Sequence, residues 1–232
     1  MTTAVTSLPK PSALITGASR GLGAAIAREL APGYELLLGA RTAEALRPIL
    51  SELPGARGWP VQLTDYDAVA AAVAEIDRLD VLVHNAGVAD LGTVAESSVD
   101  QWRNTLEANV IAVAELTRLL LPALRRAEGH VVLINSGAGL RANAGWASYA
   151  ASKFALKAFG DALRLEEPKL RVTSIHPGRI DTDMQRAIIA GEGREYRPEE
   201  FLTPQTVAWT VRNAVDTPRD AHPTEIMLRP NS

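Results

Sequence analysis

The chain has 232 residues and a formal net charge of −3, and 47% of its residues are hydrophobic and 22% charged. That length suits one α/β domain with a buried core, and the composition lies far from that of disordered chains. Acidic and basic residues are interspersed, so no basic patch indicates nucleic acid, and we expect a small-molecule partner. The absence of cysteine excludes disulfides, thiolate nucleophiles and cysteine-based metal sites.

The chain carries no targeting signal that the sequence makes visible. The first twelve residues, MTTAVTSLPKPS, contain no apolar run long enough for a signal peptide, and no later segment approaches the ~20 apolar residues of a membrane span. None of the four histidines has a partner at metal-ligand spacing. We therefore expect a cytoplasmic protein with no membrane partner and no bound metal.

Short apolar segments alternate with helical patterns along the whole chain. The predicted strands are 13–15, 34–39, 59–63, 80–84, 130–135, 171–176 and 225–228. Helical patterns separate them, the longest over 99–126 and 148–167, while 184–204 looks irregular. Such alternation predicts an α/β fold: a single, doubly wound parallel sheet of about seven strands, with helices on both faces.

A glycine-rich turn joins the first strand to the first helix. Gly17, Gly21 and Gly23 have the spacing Gly-x-x-x-Gly-x-Gly rather than the more common Gly-x-Gly-x-x-Gly. Bare backbone at these positions permits a tight turn and close approach of a phosphate, and the positive end of the helix dipole favours an anion there. A glycine-rich turn that binds no ligand is the alternative interpretation.

The end of the second strand carries a base where NAD-binding proteins usually carry an acid. The strand is followed by Arg41, and a second guanidinium, Arg20, lies within the glycine turn. Guanidinium groups bind phosphate with two parallel hydrogen bonds, so these arginines favour NADP(H) over NAD(H). Two solvated surface arginines are the alternative.

Ser136, Tyr149 and Lys153 form a second candidate constellation. Tyr149 and Lys153 are four residues apart in a predicted helix and so share one face. An ammonium about 4 Å from the phenol, at an effective dielectric of about 20, favours the phenolate by about 4 kcal/mol, or about 3 pKa units. We therefore expect Tyr149 to have a lowered pKa and to act as general acid or base, with Ser136 donating to the same substrate oxygen.

Taken together, these motifs resemble the short-chain dehydrogenase/reductase family in order and spacing. The residues that carry the resemblance are 16–23 (TGASRGLG), Asn85-Ala86-Gly87, Asn109, Ser136, Tyr149, Lys153 and Pro177-Gly178. The resemblance covers 12–184 densely and implies a Rossmann-type fold. It implies that Tyr149 exchanges the proton, Ser136 polarises the carbonyl, Lys153 tunes Tyr149 and holds the nicotinamide ribose, and Asn109 carries a water in a proton relay.

The resemblance and the two arginines together predict a set of NADP(H) contacts. They are Gly17, Ser19, Arg20, Gly21, Leu22, Gly23, Arg41, Gln62, Leu63, Asn85, Ala86, Gly87, Tyr149, Lys153, Pro177, Gly178, Ile180 and Thr182. The chain departs from the family in three places. Gln62 stands where an aspartate usually binds adenine, His84 replaces a frequent asparagine, and 184–204, which would cover the substrate, is short.

The combined prediction is one NADP(H)-dependent oxidoreductase domain spanning 1–232, with a cofactor-binding half at 11–135 and a catalytic and substrate-covering half at 136–232. It would transfer a hydride between nicotinamide and a carbonyl or secondary alcohol, most simply as a carbonyl reductase. A non-catalytic NADP(H) sensor on the same fold is the main alternative. A sugar-nucleotide epimerase or dehydratase is another, although such enzymes usually need a larger C-terminal domain.

Two further expectations concern the substrate and the assembly. The substrate pocket is predicted to be mainly apolar, with Asp90 and Arg141 as polar anchors and a lining of Val88, Ala138, Leu140, Trp146, Met184 and Ile188. The two long helices are apolar on more than one face, which predicts a homodimer or homotetramer. The residues expected at that interface are Val110, Val113, Leu116, Leu119, Leu120, Ala155, Leu156 and Phe159.

Overall fold

The structure is a computed structural model that describes residues 10–231. Within them one sheet contains β1 (Ser12–Ile15), β2 (Glu35–Ala40), β3 (Arg57–Pro60), β4 (Val81–His84), β5 (His130–Ile134), β6 (Arg171–Pro177) and β7 (Glu225–Leu228). Their order across the sheet is β3-β2-β1-β4-β5-β6-β7, and every pair is parallel. The predicted seven-stranded parallel sheet is therefore confirmed.

Helices follow the strands and cover both faces of the sheet. They are α1 (Gly21–Leu30), α2 (Ala43–Glu52), α3 (Tyr66–Val73), α4 (Val99–Leu106), α5 (Ala112–Ala127), α6 (Ala147–Glu166), α7 (Asp183–Gly191) and α8 (Pro204–Asp216). Five of them begin at side-chain caps, in which a hydroxyl or carboxylate accepts from a backbone N–H three residues on. The capping residues are Thr42, Asp65, Ser98, Thr182 and Thr203.

Alternation along the strands divides the core into two layers. Ala13 and Ile15 of β1 point to the layer that α1 and α8 cover, whereas Leu14 points to the layer that contains α5 and α6. All five residues of β5, near the middle of the sheet, are buried. Such continuous burial is expected of a parallel strand that helices cover on both sides, and it confirms the doubly wound arrangement.

Two predicted boundaries are wrong, and both lie near the site. β3 ends at Pro60, so Gln62 and Leu63 follow the strand instead of ending it. Residues 184–204 are not irregular throughout, because α7 and a 3₁₀ turn at Pro198–Glu200 lie in this region. Helix α7 contributes little to the core, since only Gln185 and Ile189 of its nine residues are buried.

The long predicted helix is interrupted by a π turn. Residues Glu107–Ile111 form this turn between α4 and α5, and it contains Asn109. A π turn adds one residue to a helical turn and often marks a functional position. The helix prediction over 99–126 thus has the right extent but misses the irregularity that orients Asn109.

Part of the predicted interface is wrong. Val113, Leu116, Leu120 and Leu156 are at most 3% exposed and belong to the chain's own core. The apolar residues that α4, α5, α6 and the π turn leave exposed are instead Val99, Ile111, Phe154 and Leu165. Among residues 10–231, no helix combines the length and apolarity that crossing a bilayer requires.

Candidate active site

A cleft of about 1340 Å³ lies at the carboxyl ends of the strands, beside the glycine turn. Open α/β sheets bind ligands at this edge, where the strand order reverses. β1 and β4 are neighbours here, although two strands separate them in sequence. All the predicted cofactor contacts line the cleft, and so do Ser136, Tyr149 and Lys153. The structure thus gathers residues from 17 to 182 around one cavity.

Backbone conformation or close packing disfavours a side chain at each glycine of the turn. Gly17 and Gly21 adopt φ values of +65° and +54°, in the left-handed region that favours glycine. At Gly23, a Cβ atom would lie only 2.1 Å from the carbonyl oxygen of Gly17. Helix α1 therefore packs directly on the turn, and its first N–H groups lie at the edge of the cleft.

Asn85 ties this turn to the end of β4. Its Nδ2 donates to the carbonyl oxygens of Thr16 and Gly17, at 2.9 and 3.1 Å. In return, Oγ1 of Thr16 accepts from the backbone N–H groups of Asn85 and Ala86, both at 3.0 Å. The turn and the Asn85-Ala86-Gly87 segment are consequently one rigid unit.

The phosphate end of the cleft carries the two predicted arginines. Arg41 follows β2 and is exposed. Arg20 lies 3.4 Å from Asp183, and because both side chains are at least 70% exposed, this ion pair contributes little stability. Nearby, Gln62 donates from Nε2 to Oγ1 of Thr64 at 2.9 Å. This bond fixes the orientation of the amide, whose oxygen can accept a hydrogen bond from a ligand.

Ser136, Tyr149 and Lys153 meet at the other end of the cleft. Ser136 follows β5, its hydroxyl accepts from the N–H of Ala138 at 3.1 Å, and it is close enough to Tyr149 to lower the pKa of that phenol. Nζ of Lys153 lies 5.8 Å from the Tyr149 ring centroid and donates to the carbonyl oxygen of Ile134 at 2.9 Å. The serine and the tyrosine can therefore contact one substrate oxygen, with the ammonium behind them.

The predicted lowering of the Tyr149 pKa is wrong for this structure. Burial raises the pKa of Tyr149 by more than the nearby Ser136 lowers it. The ammonium of Lys153 does not offset this, because it points at the carbonyl of Ile134 and is itself buried, which lowers its pKa to about 8. Desolvation therefore decides the direction of the Tyr149 pKa shift. The spacing of two residues in a sequence does not reveal desolvation.

Asn109 lies behind the cleft wall and does not line it. Its Nδ2 donates to the carbonyl of Val88 at 2.9 Å and to Oγ of Ser152 at 3.0 Å, and its Oδ1 accepts from the N–H of Val88 at 2.8 Å. A Cβ atom on Gly87 would lie 3.0 Å from that oxygen and 4.0 Å from Nζ of Lys153. The amide therefore fixes the loop that separates it from the cleft.

The predicted substrate pocket needs both corrections and additions. Val88, Ala138, Trp146, Met184, Ile188 and Arg141 line the cleft, but Leu140 and Asp90 do not. Asp90 instead contributes its backbone carbonyl, which accepts from Gln101 and Ser148. Asn143, Arg179 and Arg229 also line the cleft and were not predicted from the sequence. For Arg179, its position directly after Pro177-Gly178 was an available signal, whereas for Arg229 only the fold brings the end of β7 here.

His84 is buried beneath this site. Its Nε2 lies 2.9 Å from Oγ1 of Thr117, and burial lowers its pKa to about 3, so the ring is neutral at pH 7. His84 therefore packs in the core and hydrogen-bonds there. Among the residues that the structure describes, no group of three His, Asp or Glu side chains is close enough to hold a metal ion.

Comparison with known proteins agrees with this geometry. The family model described as short chain dehydrogenase matches residues 11–193. The chain is 38% identical over 210 residues to dehydrogenase/reductase SDR family member 7B of Bos taurus, covering 83% of this chain and 65% of that protein. It is 34% identical over 185 residues to the 3-oxoacyl-(acyl-carrier-protein) reductase FabG of Escherichia coli, covering 76% of each.

Solved structures share the whole fold. An alcohol dehydrogenase from the archaeon Thermococcus sibiricus, complexed with 5-hydroxy-NADP, superposes with a TM-score of 0.86 and 30% identity, over 96% of this chain and 97% of that one. This chain therefore belongs to the short-chain dehydrogenase/reductase family, and the predicted Rossmann-type fold is confirmed. It spans about two thirds of the length of the bovine relative, 65%.

Proposed function

We propose that this protein is an NADP(H)-dependent carbonyl reductase. The observation that carries the proposal is one cleft with Arg20 and Arg41 at its phosphate end and Ser136, Tyr149 and Lys153 at the other. The alcohol dehydrogenase of similar structure was solved with an NADP derivative, and the Escherichia coli relative is a reductase of 3-oxoacyl groups, which supports both parts of the proposal.

In this mechanism the bound nicotinamide supplies the hydride, and the chain supplies orientation and the proton. Ser136 donates a hydrogen bond to the carbonyl oxygen, which polarises the bond and stabilises the charge that develops there. Tyr149 donates its phenolic proton to the same oxygen. A phenol is protonated at neutral pH, so the donor form needed for reduction is present. Lys153 lies behind the ring and would hold the ribose.

Roles for the remaining predicted residues follow from their positions. The turn of Gly17, Gly21 and Gly23 would cradle the diphosphate, and Gln62, Leu63 and Asn85 to Gly87 would line the adenosine side. Pro177, Gly178, Ile180 and Thr182 would hold the nicotinamide. Asn109, which does not reach the cleft, would act through the loop at Gly87 and Val88. We propose the same division of the chain, with cofactor-binding residues at 11–135 and catalytic and substrate-covering residues at 136–232.

We also propose that copies of this chain associate through α4, α5 and α6 as a homodimer or homotetramer. Ile111 of the π turn and Phe154 of α6 are 48% and 45% exposed, and a second copy packed on this face would bury both. Light scattering would give a mass near the 24.8 kDa of one chain if this proposal is wrong. An Ile111→Glu, Phe154→Glu variant should be monomeric. A cytoplasmic location stays a prediction from the sequence.

The direct test of the proposed function is turnover with a panel of ketones, aldehydes and quinones. NADPH deuterated at the transferable position of the nicotinamide should lose its absorbance, and the alcohol product should gain one deuterium on carbon. NADH should be used less efficiently. The absence of NADPH consumption across the whole panel, with cofactor bound, would contradict the assignment.

A further inference from the structure

Charges in the cleft are distributed very unevenly. The charged residues that line it are six bases and one acid: Arg20, Arg41, Arg141, Lys153, Arg179, Arg229 and Asp183. The chain as a whole is slightly acidic, with a net charge of −3, so this excess is local. Asp183 pairs with Arg20 at the phosphate end. The other end of the cleft, around Ser136, therefore holds cations without a lining carboxylate.

Of the three arginines at that end, Arg179 is already neutralised. Its two terminal nitrogens lie 2.5 and 2.9 Å from the carboxylate oxygens of Glu192, which stands outside the cleft. The guanidinium also stacks on the ring of Trp146, 5.5 Å from a ring centroid. Arg179 is thus part of the wall, and its charge is not available to a ligand.

Arg141 and Arg229 have no such compensation. Among residues 10–231 neither guanidinium has a carboxylate within ion-pair distance. Arg229 donates from Nη1 to the carbonyls of His176 and Leu228, at 3.2 and 3.1 Å. These bonds hold the guanidinium in place and leave its other N–H groups without a partner among the described residues.

Both arginines flank Gly137, the residue after Ser136. The nearest nitrogen of the Arg229 guanidinium lies 3.3 Å from the position that a Cβ on Gly137 would take. Arg141 is anchored to the same residue, because its backbone N–H donates to the carbonyl oxygen of Gly137 at 3.1 Å. The guanidinium of Arg229 therefore lies next to the residue that follows Ser136, and Arg141, which lines the same cleft, has its backbone bound to that residue.

We propose that the substrate is an oxo acid whose carboxylate binds to Arg141 and Arg229 while its ketone lies against Ser136 and Tyr149. This inference rests on the proposed reductase function and specifies its substrate class. Guanidinium groups bind carboxylates with two parallel hydrogen bonds, which orient the ligand as well as attract it. In the reaction, hydride from NADPH forms the new C–H bond, the proton of Tyr149 forms the O–H bond, and the carboxylate is unchanged. The product is a hydroxy acid.

The test compares acids with their esters. The probes are 2-oxohexanoate, 4-oxohexanoate and 5-oxohexanoate, each beside its methyl ester, which keeps the ketone and removes the charge. We expect at least one acid to exceed its ester in kcat/KM by about tenfold or more, the size expected of a hydrogen bond to a charged group. The position of the ketone in the best acid reports the spacing between the two subsites.

Variants assign the preference to the two arginines. Arg141→Gln and Arg229→Gln should each lower kcat/KM for the preferred acid by about tenfold and leave the ester within about threefold. Arg47→Gln is the matched control. Arg47 is exposed on α2 and does not line the cleft, and its substitution changes the net charge by the same amount. Arg229 also bonds two carbonyls, so the result for its variant counts only if the melting curve is unchanged. If the melting curve changes, the variant of the exposed Arg141 decides the test.

Calorimetry with the NADP⁺-bound protein separates this inference from the proposed function. Tighter binding of an acid than of its ester, lost in Arg141→Gln, supports the anion site even if no probe is reduced, in which case the reductase proposal is the one that fails. Equal binding and equal use of acid and ester would overturn the anion site, whether or not ketones are reduced. An acid preference that both arginine variants retain would overturn it as well.

Discussion

Two regions face each other across the cleft, and they are built differently. The glycine turn at 16–23 is shaped by backbone atoms, with two positive φ angles and carbonyl groups bound by Asn85. The covering segment at 179–203 is held by charged side chains, among them the pairs Arg179–Glu192, Arg186–Asp181 and Arg194–Glu200. Backbone geometry leaves no freedom to substitute, whereas ion pairs can be exchanged. Cofactor binding should therefore be the fixed property of this fold, and substrate choice the variable one.

The largest expected effect comes from adding one methyl group to the glycine turn. In Gly23→Ala, the new Cβ would lie 2.1 Å from the Gly17 carbonyl oxygen, so the turn must open. We expect measurable NADPH binding to be lost and the free energy of unfolding to fall by about 3 kcal/mol, the upper range for overpacking. Fluorescence titration with NADPH and chemical denaturation measure the two effects.

Gly191→Ala is the matched substitution in the covering segment. A Cβ atom there has no neighbour within 4 Å, and Gly191 is the last residue of α7. We expect unchanged NADPH affinity and a stability equal to that of the wild type or up to about 1 kcal/mol higher, from helix propensity. Similar losses in the two variants would show that the regions do not differ in the way described.

A smaller effect is expected at the phosphate end. Replacing both Arg20 and Arg41 with Ala should weaken NADPH binding by about a hundredfold or more and NADH binding by less than about tenfold, because charge-assisted bonds to the 2′-phosphate contribute about 1.5 to 3 kcal/mol each. Arg47→Ala serves as the control for net charge. Dissociation constants for both cofactors decide the matter, and equal losses would remove the two arginines from the phosphate site.

The smallest effect concerns how the free energy of unfolding depends on pH, and it comes from His84, next to the residue that binds the glycine turn. Burial lowers the pKa of His84 from 6.5 to about 3. The folded protein then binds fewer protons than the unfolded chain, so the free energy of unfolding falls as the pH drops below 6.5. At pH 5 the loss attributable to His84 is about 2 kcal/mol. His84 precedes Asn85, which binds the glycine turn, while 179–203 contains no histidine.

Urea denaturation of wild type and His84→Asn at pH 7 and pH 5 checks this value. The stability difference between the two proteins should shift by about 2 kcal/mol in favour of the variant at the lower pH. His130, whose pKa burial also lowers to about 3, stays in both proteins and cancels. A difference that does not change with pH would mean that His84 is not buried in its neutral form.

The sequence predicted best what depends on local pattern. The alternation of short apolar segments with helical patterns located all seven strands, and the glycine spacing located the turn between β1 and α1. Capping and short amphipathic stripes are weaker signals of a helix, and α7 was missed. The end of β3 was also placed too far along the chain. The π turn around Asn109 has no composition of its own that a sequence pattern could detect, and the structure alone shows that Asn109 binds the loop at Val88.

Properties that depend on burial or on distant contacts were beyond the sequence. The four-residue spacing correctly placed Tyr149 and Lys153 on one helix, but the direction of the Tyr149 pKa shift depends on desolvation. Arg229 enters the cleft only because β7 pairs with β6, and Leu120 and Leu156, expected at a subunit interface, are instead buried within one chain. The sequence thus predicted the cofactor side of the cleft more completely than the substrate side.

The measurement that tests the central claim most directly is turnover and NADPH affinity in Tyr149→Phe, with a ketone that the wild type reduces. The substitution removes the phenolic hydroxyl and keeps the ring that packs on Trp146. We predict that turnover falls by 10²- to 10⁴-fold, the usual contribution of a general acid, while the dissociation constant of NADPH changes less than about threefold. More than about a tenth of wild-type turnover, with the chemical step shown to limit the rate, would contradict Tyr149 as the proton donor.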